Sequence, residues 1–201
     1  TAASRPGQTT VTRTEFGDYD DLRRLDLRAG APAGHPLFLV CTHGKHDPCC
    51  ARHGRPLYEA LREELEPDWV WQVSHIGGDR FAGNLVCLPE GLYYGRVERE
   101  TAGALLDEHL AGRISMPCYR GRSIYTFAVQ AAERAAREQT GLAGIDDLVL
   151  QNVERRNGTT LVSFAAGGSR RVARITRRVS AGASPLARGP CRVARSARDP
   201  R

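Results

Sequence analysis

Thiols and imidazoles crowd one short stretch of this chain. Cys41-Thr-His-Gly-Lys-His-Asp-Pro-Cys-Cys50 holds three cysteines and two histidines within ten residues, and a second polar segment, His75-Ile-Gly-Gly-Asp79, follows downstream. Soft thiolates beside imidazoles suit an iron–sulfur cluster or zinc, whereas a magnesium or calcium site would want oxygen donors throughout. The sequence has no C-x-x-C pair, which speaks against thioredoxin dithiol exchange. The spacing does not fit a zinc finger either. A cysteine closing an apolar strand is also an ordinary core residue, so position alone leaves Cys41 and Cys50 open between ligation and packing.

For distant residues to share a site, the elements around them must converge. Residues 36–41 form a continuously apolar run, the pattern of a strand buried on both faces. Residues 42–49 read as a loop, and 51–66 as an amphipathic helix with Leu57, Ala60, Leu61 and Leu65 on one side. A second strand over 68–74 precedes a glycine-containing loop over 75–83. Residues 84–88 and 92–97 then make a β-hairpin across Pro89-Glu-Gly91, and 98–112 a helix. In an open α/β layer the loops leaving strand ends and entering helices meet on one rim, where Cys41, Cys50 and His75 could converge. A helix starting near Ala51 aims free backbone N–H groups at the same rim. The order β-α-β-ββ-α predicts an α/β fold with a thioredoxin-like mixed sheet and flanking helices over 35–113.

The character changes afterwards. Residues 114–179 read as a C-terminal α+β extension: a loop over 115–122, an alanine-rich helix over 123–139, and a three-stranded meander over 147–154, 159–164 and 170–179. Its turns fall at Asn157-Gly158 and Gly167-Gly168. Residues 1–34 read as an irregular arm with one short amphipathic stretch over 19–27, and 180–201 as a basic tail. Cys87 alternates with core residues on its strand, while Cys118 and Cys191 take no role. Trp69 with Trp71 and Tyr93 with Tyr94 alternate on strands and are expected to pack the sheet.

Several of these segments match a known family. Phe38-Leu-Val-Cys41, Cys50-Ala-Arg-His-Gly54, His75-Ile-Gly-Gly with Phe81-Ala82, and Leu88-Pro-Glu-Gly-Leu-Tyr-Tyr-Gly95 resemble the thioredoxin-like [2Fe-2S] ferredoxins, and more closely the sucrase/ferredoxin-like family. Tyr119-Arg-Gly-Arg-Ser123 and Gln130-Ala-Ala-Glu133 are similar to that family's C-terminal part. The resemblance implies a protein that moves single electrons through one [2Fe-2S] cluster. Such a protein is a carrier with redox partner proteins, or a subunit of a larger oxidoreductase complex. It places ligands on Cys41, Cys50, His75 and Asp79. Many members carry a second histidine at the last position, so the carboxylate here leaves His43, Cys49 and Cys191 as rivals for the fourth place. Imidazole ligands make a cluster less negative, raise its potential and couple reduction to protonation. The family's "sucrase" label implies no sugar chemistry, because no paired carboxylates suggest glycoside hydrolysis.

Two other readings stand beside this one: a zinc-bound or metal-free thioredoxin-fold interaction module, and a thiol enzyme using Cys41 or Cys50 as nucleophile. The 201 residues, 41% hydrophobic and 26% charged, suffice for one domain with an extension and exclude global disorder. No apolar run approaches a membrane-spanning helix. Residues 1–10 lack a signal core, which points to a cytoplasmic location, and lack an initiator methionine, which points to a processed, trimmed or partial chain. From Arg170 onward ten arginines oppose a single aspartate, giving that segment +9 and leaving −3 for the rest of a chain of net charge +6. No aromatic residue interleaves with these arginines, so nucleic acid is not an expected partner.

Overall fold

The computed structural model describes residues 1–5, 8–26 and 29–176. In chain order its elements are β1 (Ala2–Arg5), β2 (Gln8–Arg13), β3 (Ala31–Pro32), β4 (Leu37–Cys41), α1 (Pro48–Glu64), β5 (Val70–Val73), β6 (Leu85–Leu88), β7 (Leu92–Tyr94), α2 (Arg99–Leu110), β8 (Tyr119–Arg122), α3 (Phe127–Thr140), β9 (Val149–Arg156), β10 (Thr159–Ala166) and β11 (Ser169–Thr176). Short 3-10 turns lie at Tyr19–Arg23 and Asp79–Phe81.

Five strands form the central sheet in the order β5-β4-β6-β7-β8. β4 and β5 are parallel, joined through α1, and every other pair is antiparallel. This is the thioredoxin-like mixed layer that the element order predicts. Alternate side chains of one face (Phe38 and Val40, Leu85 and Cys87, Leu92 and Tyr94) are fully buried with Leu57, Leu61, Leu105 and Leu106 of α1 and α2. The other face of β4 is less covered, because Leu37 and Leu39 are only partly buried. The strand is therefore not buried on both faces as its apolar run suggests. Cys87 is a core side chain, and Tyr94 packs the same core. Trp71 stands 52% exposed on the edge strand β5, while Trp69 stacks on His35.

Two expectations change. The arm over 1–34 is not irregular: β1, β2 and β3 form a small antiparallel sheet, and only a 3-10 turn occupies the 19–27 stretch. Its short strands, of which only β2 is rich in threonine, carry little apolar alternation, so the pairing is invisible locally. The loop read over 115–122 instead contains β8, the fifth strand of the central sheet. Its sequence, Tyr-Arg-Gly-Arg, hides a strand because a core position is filled by a charge.

The meander forms as its turn residues demand. Asn157 and Gly158 have φ of +47° and +74°, and Gly167 and Gly168 have +51° and +81°, the positive values that tight hairpins require. α3 and this sheet share a second core of Val129, Ala132, Ala136, Leu148, Val162 and Phe164. Residues 177–201, which include the end of the expected third strand and the basic tail, lie outside the described residues.

A buried polar seam joins the two cores. Glu133 of α3 accepts hydrogen bonds from Tyr119 Oη (2.8 Å), Arg122 Nε (3.2 Å) and Arg137 Nη2 (3.0 Å). Arg122 and Arg137 also donate to the Ile145 carbonyl. The Glu133, Arg122 and Arg137 side chains are at most 2% exposed, so the carboxylate compensates two guanidinium groups that water does not reach. Glu133→Ala leaves Arg137 without its carboxylate and Arg122 with only exposed Asp146 at 4.0 Å, and is expected to cost about 3–5 kcal/mol in chemical denaturation. An exposed control, Glu138→Ala, is expected to cost under about 1 kcal/mol.

Candidate metal centre

Parallel pairing of β4 with β5 puts both C-terminal ends on one rim. Cys41 stands opposite Val73, so the chain leaves β5 two residues before His75 at the level where β4 ends. β6 enters from the same rim, with the Asn84 carbonyl accepting the Cys41 N–H at 3.1 Å. α1 begins there as well. Asp47 caps it, accepting the Cys49 N–H at 2.7 Å, and Pro48 opens the first turn. The helix therefore starts at Pro48 rather than Ala51, which places both Cys49 and Cys50 in its first turn.

Glycine decides how closely the helix meets the strand. A Cβ on Gly54 would collide with the Cys41 carbonyl. Without it the first turns of α1 settle directly over the end of β4, and Cys50 comes to rest beside Cys41. The ligating atoms of Cys41, Cys50 and His75 all lie within 4.8 Å of one another, with both cysteines buried and the histidine half-buried. His75 Nδ1 is 3.7 Å from Cys50 Sγ.

Other polar groups hold the trio in place. The His75 backbone N–H donates to His43 Nδ1 at 3.2 Å, and the His46 ring stacks on His75 with centroids 3.6 Å apart. The 75–83 loop turns through Gly77 and Gly78, with φ of +86° and +77°. Asn84 Nδ2 donates to the Gly78 carbonyl at 2.8 Å, and Arg120 Nη1 donates to Asn84 Oδ1 at 2.7 Å. Sequence reasoning missed Arg120, since it sits on the unrecognised β8.

Of the four residues read as ligands, three converge. Asp79 starts an exposed 3-10 turn outside the group, although its charge still acts on Cys50. Among its rivals, His43 is engaged with the His75 backbone, Cys49 is half-buried beside Cys50, and Cys191 lies outside the described residues. Cys118 is buried in the central core just before β8.

Burial pushes the Cys50 thiol up to about 12; a hydrogen bond and the charge of Cys41 add to it, as do Asp47 and Asp79. The positive end of α1 favours thiolate, but two adjacent sulfurs and a buried setting outweigh it. A metal cation removes that repulsion, so two buried thiols with one imidazole form a donor set that a soft or borderline metal fits.

A thioredoxin-like layer with a Cys-Cys-His group on its rim is what the fold and the site define together. The sequence profile of the sucrase/ferredoxin-like family matches residues 8–121, more than half the chain, and the chain belongs to that family. It is 34% identical over 98 residues to "Altered inheritance of mitochondria protein 32" of Debaryomyces hansenii, a match covering 44% of this chain and 36% of the relative. The protein of the same name from Clavispora lusitaniae is 33% identical over 115 residues, covering 53% and 42%. The chain thus spans about two-fifths of these relatives. Among solved structures, it is similar to a thioredoxin-like [2Fe-2S] ferredoxin from Aquifex aeolicus at 18% identity and TM-score 0.40, covering 45% of this chain and 94% of that one. No helix of the described residues is long and apolar enough to cross a membrane.

The thiol coupling is directly measurable. In metal-free protein, Cys41→Ala removes the hydrogen bond and the negative neighbour. The Cys50 midpoint, followed by ultraviolet thiolate absorption, is expected to fall from about 12 toward the ordinary value of 9. An unchanged midpoint would show that the sulfurs do not interact.

Proposed function

We propose that this chain carries single electrons through one [2Fe-2S] cluster held by Cys41, Cys50 and His75, with Asp79 as the fourth ligand. It serves redox partner proteins as a carrier or as a subunit of a larger oxidoreductase complex. The observation that supports this most is the convergence of two sulfurs and one ring nitrogen within 4.8 Å, from three separate segments. A cluster bound there supplies reversible one-electron uptake.

The chain's own residues set the conditions. Cys41 and Cys50 give up their thiol protons on loading, so uptake of metal strengthens as pH rises. His75 contributes a neutral donor in place of a thiolate and carries a proton that can follow the electron. His46, stacked on the ring, covers one of its faces. Asp79 sits four residues beyond His75 in the same loop, where a modest rearrangement of the exposed turn would bring its carboxylate in. A reducing, cytoplasm-like compartment keeps the two thiols available for ligation.

An anaerobic preparation is expected to be coloured, with iron and acid-labile sulfide in equal amounts and a paramagnetic reduced state. The midpoint potential is expected to fall with rising pH by up to about 59 mV per unit. His75→Cys should lower the potential and abolish that slope, and Asp79→Ala should change the g-values of the reduced protein. A colourless protein carrying stoichiometric zinc would overturn the proposal in favour of an interaction module.

A further inference from the structure

The far side of the 75–83 loop carries a cluster of arginines around one aromatic ring. Phe81 is the hub: the guanidinium carbons of Arg120, Arg80 and Arg96 lie 4.5, 5.0 and 5.2 Å from its ring centroid. Among the described residues, none of the three takes part in an ion pair, and Arg96 Nε is buried without a hydrogen-bond partner. Arg120 is held rigidly. A Cβ on Gly78 would meet its Nη2 at 2.6 Å, and one on Gly95 its Cδ at 2.6 Å, so two glycines make the slot in which it lies. Burial and the neighbouring Arg80 both lower its pKa. Three cations gathered on one ring, none of them in an ion pair among the described residues, are an arrangement that an anion completes.

A groove of about 770 Å³ opens beside them, lined by Arg80, Phe81, Arg120, Tyr93, Tyr125 and Phe127. Its volume falls within the range of small-molecule sites, roughly 300–1,000 Å³. Phe127 is 89% exposed at the groove, although it opens α3 and has an apolar core close by. Thr126 precedes it as N-cap without capping any N–H through its side chain, so the start of a 14-residue helix stands at the groove's edge without a side-chain cap. Asp79 is the one carboxylate along the wall.

We infer that this groove binds a small phosphorylated molecule of the nucleotide class, its phosphate between Arg80, Arg120 and the start of α3 and its planar ring against Phe127. The guanidinium groups match phosphate oxygens in geometry as well as charge. The exposed aromatic ring supplies a stacking platform that a bare anion would not need. The groove contains none of the thiols and shares only Asp79 and its loop with the metal reading, on which the inference does not rest.

Calorimetric titration of the full chain at low salt tests this with ADP and with inorganic pyrophosphate as probes. ADP is expected to bind saturably and more tightly than pyrophosphate. Arg80→Gln should weaken both by about tenfold. Phe127→Ala should weaken ADP by about fivefold or more and leave pyrophosphate unchanged. Arg80 and Phe127 are both exposed, so an unshifted thermal midpoint in each variant separates lost binding from lost folding. Absence of ADP binding, or equal affinity in wild type and Arg80→Gln, would overturn the site and place any phosphate affinity elsewhere, such as the arginine-rich C-terminal segment. Equal affinity for the two probes with no effect of Phe127→Ala would overturn the nucleotide assignment.

Discussion

The first turns of α1 can reach the end of β4 because residue 54 has no side chain. Any Cβ there would run into the Cys41 carbonyl, and the helix would have to tilt away from the sheet. With that contact made, the direction of α1 is set, its Leu57 and Leu61 drop onto Phe38 and Val40, and α2 closes the core against it. The same contact fixes the separation of two cysteines that are nine positions apart in the chain. Packing of the core and assembly of the thiol pair are therefore one event, and a glycine that weakens a helix elsewhere is retained here for its absence of volume.

Electrostatics divides the 75–83 loop between two opposite environments. On one side His75 faces buried sulfurs whose mutual repulsion favours a cation. On the other, Phe81 is surrounded by guanidinium groups that favour an anion. Asn84 and Arg120 tie the loop to the sheet by hydrogen bonds, so the two sides share one rigid support. Asp79 lies at the junction: its charge acts on Cys50, and it also lines the groove beside Phe81.

The second layer is attached by a different logic. Apolar contact holds each core internally, but the seam between β8 and α3 is ionic, with Glu133 serving Tyr119, Arg122 and Arg137 at once. Such a buried network contributes little net free energy relative to apolar packing, yet it tolerates no missing partner. It ties α3 to β8 through Glu133, Tyr119 and Arg122 where the two layers meet.

Local chemistry determined a good deal from sequence alone. Apolar runs and helical spacing identified β4, α1, β5 and the β6–β7 hairpin. Asn157-Gly158 and Gly167-Gly168 located the meander turns, since positive φ is a property of those residues themselves. The types of Cys41, Cys50 and His75 suited a soft metal, but their positions alone left packing equally open, and only the family resemblance singled them out together with Asp79. What depended on distant partners was not legible. The short, largely polar β1 and β2 become strands through pairing with each other, and β2 with β3, and β8 through its place beside β7 and the burial of Arg122 against Glu133. The tertiary structure alone decided that Asp79 stands apart from the converging side chains of Cys41, Cys50 and His75 and that Arg80, Arg96 and Arg120 gather on one ring. Spacing along a chain constrains direction only within one element, whereas convergence between elements is set by the packing that joins them.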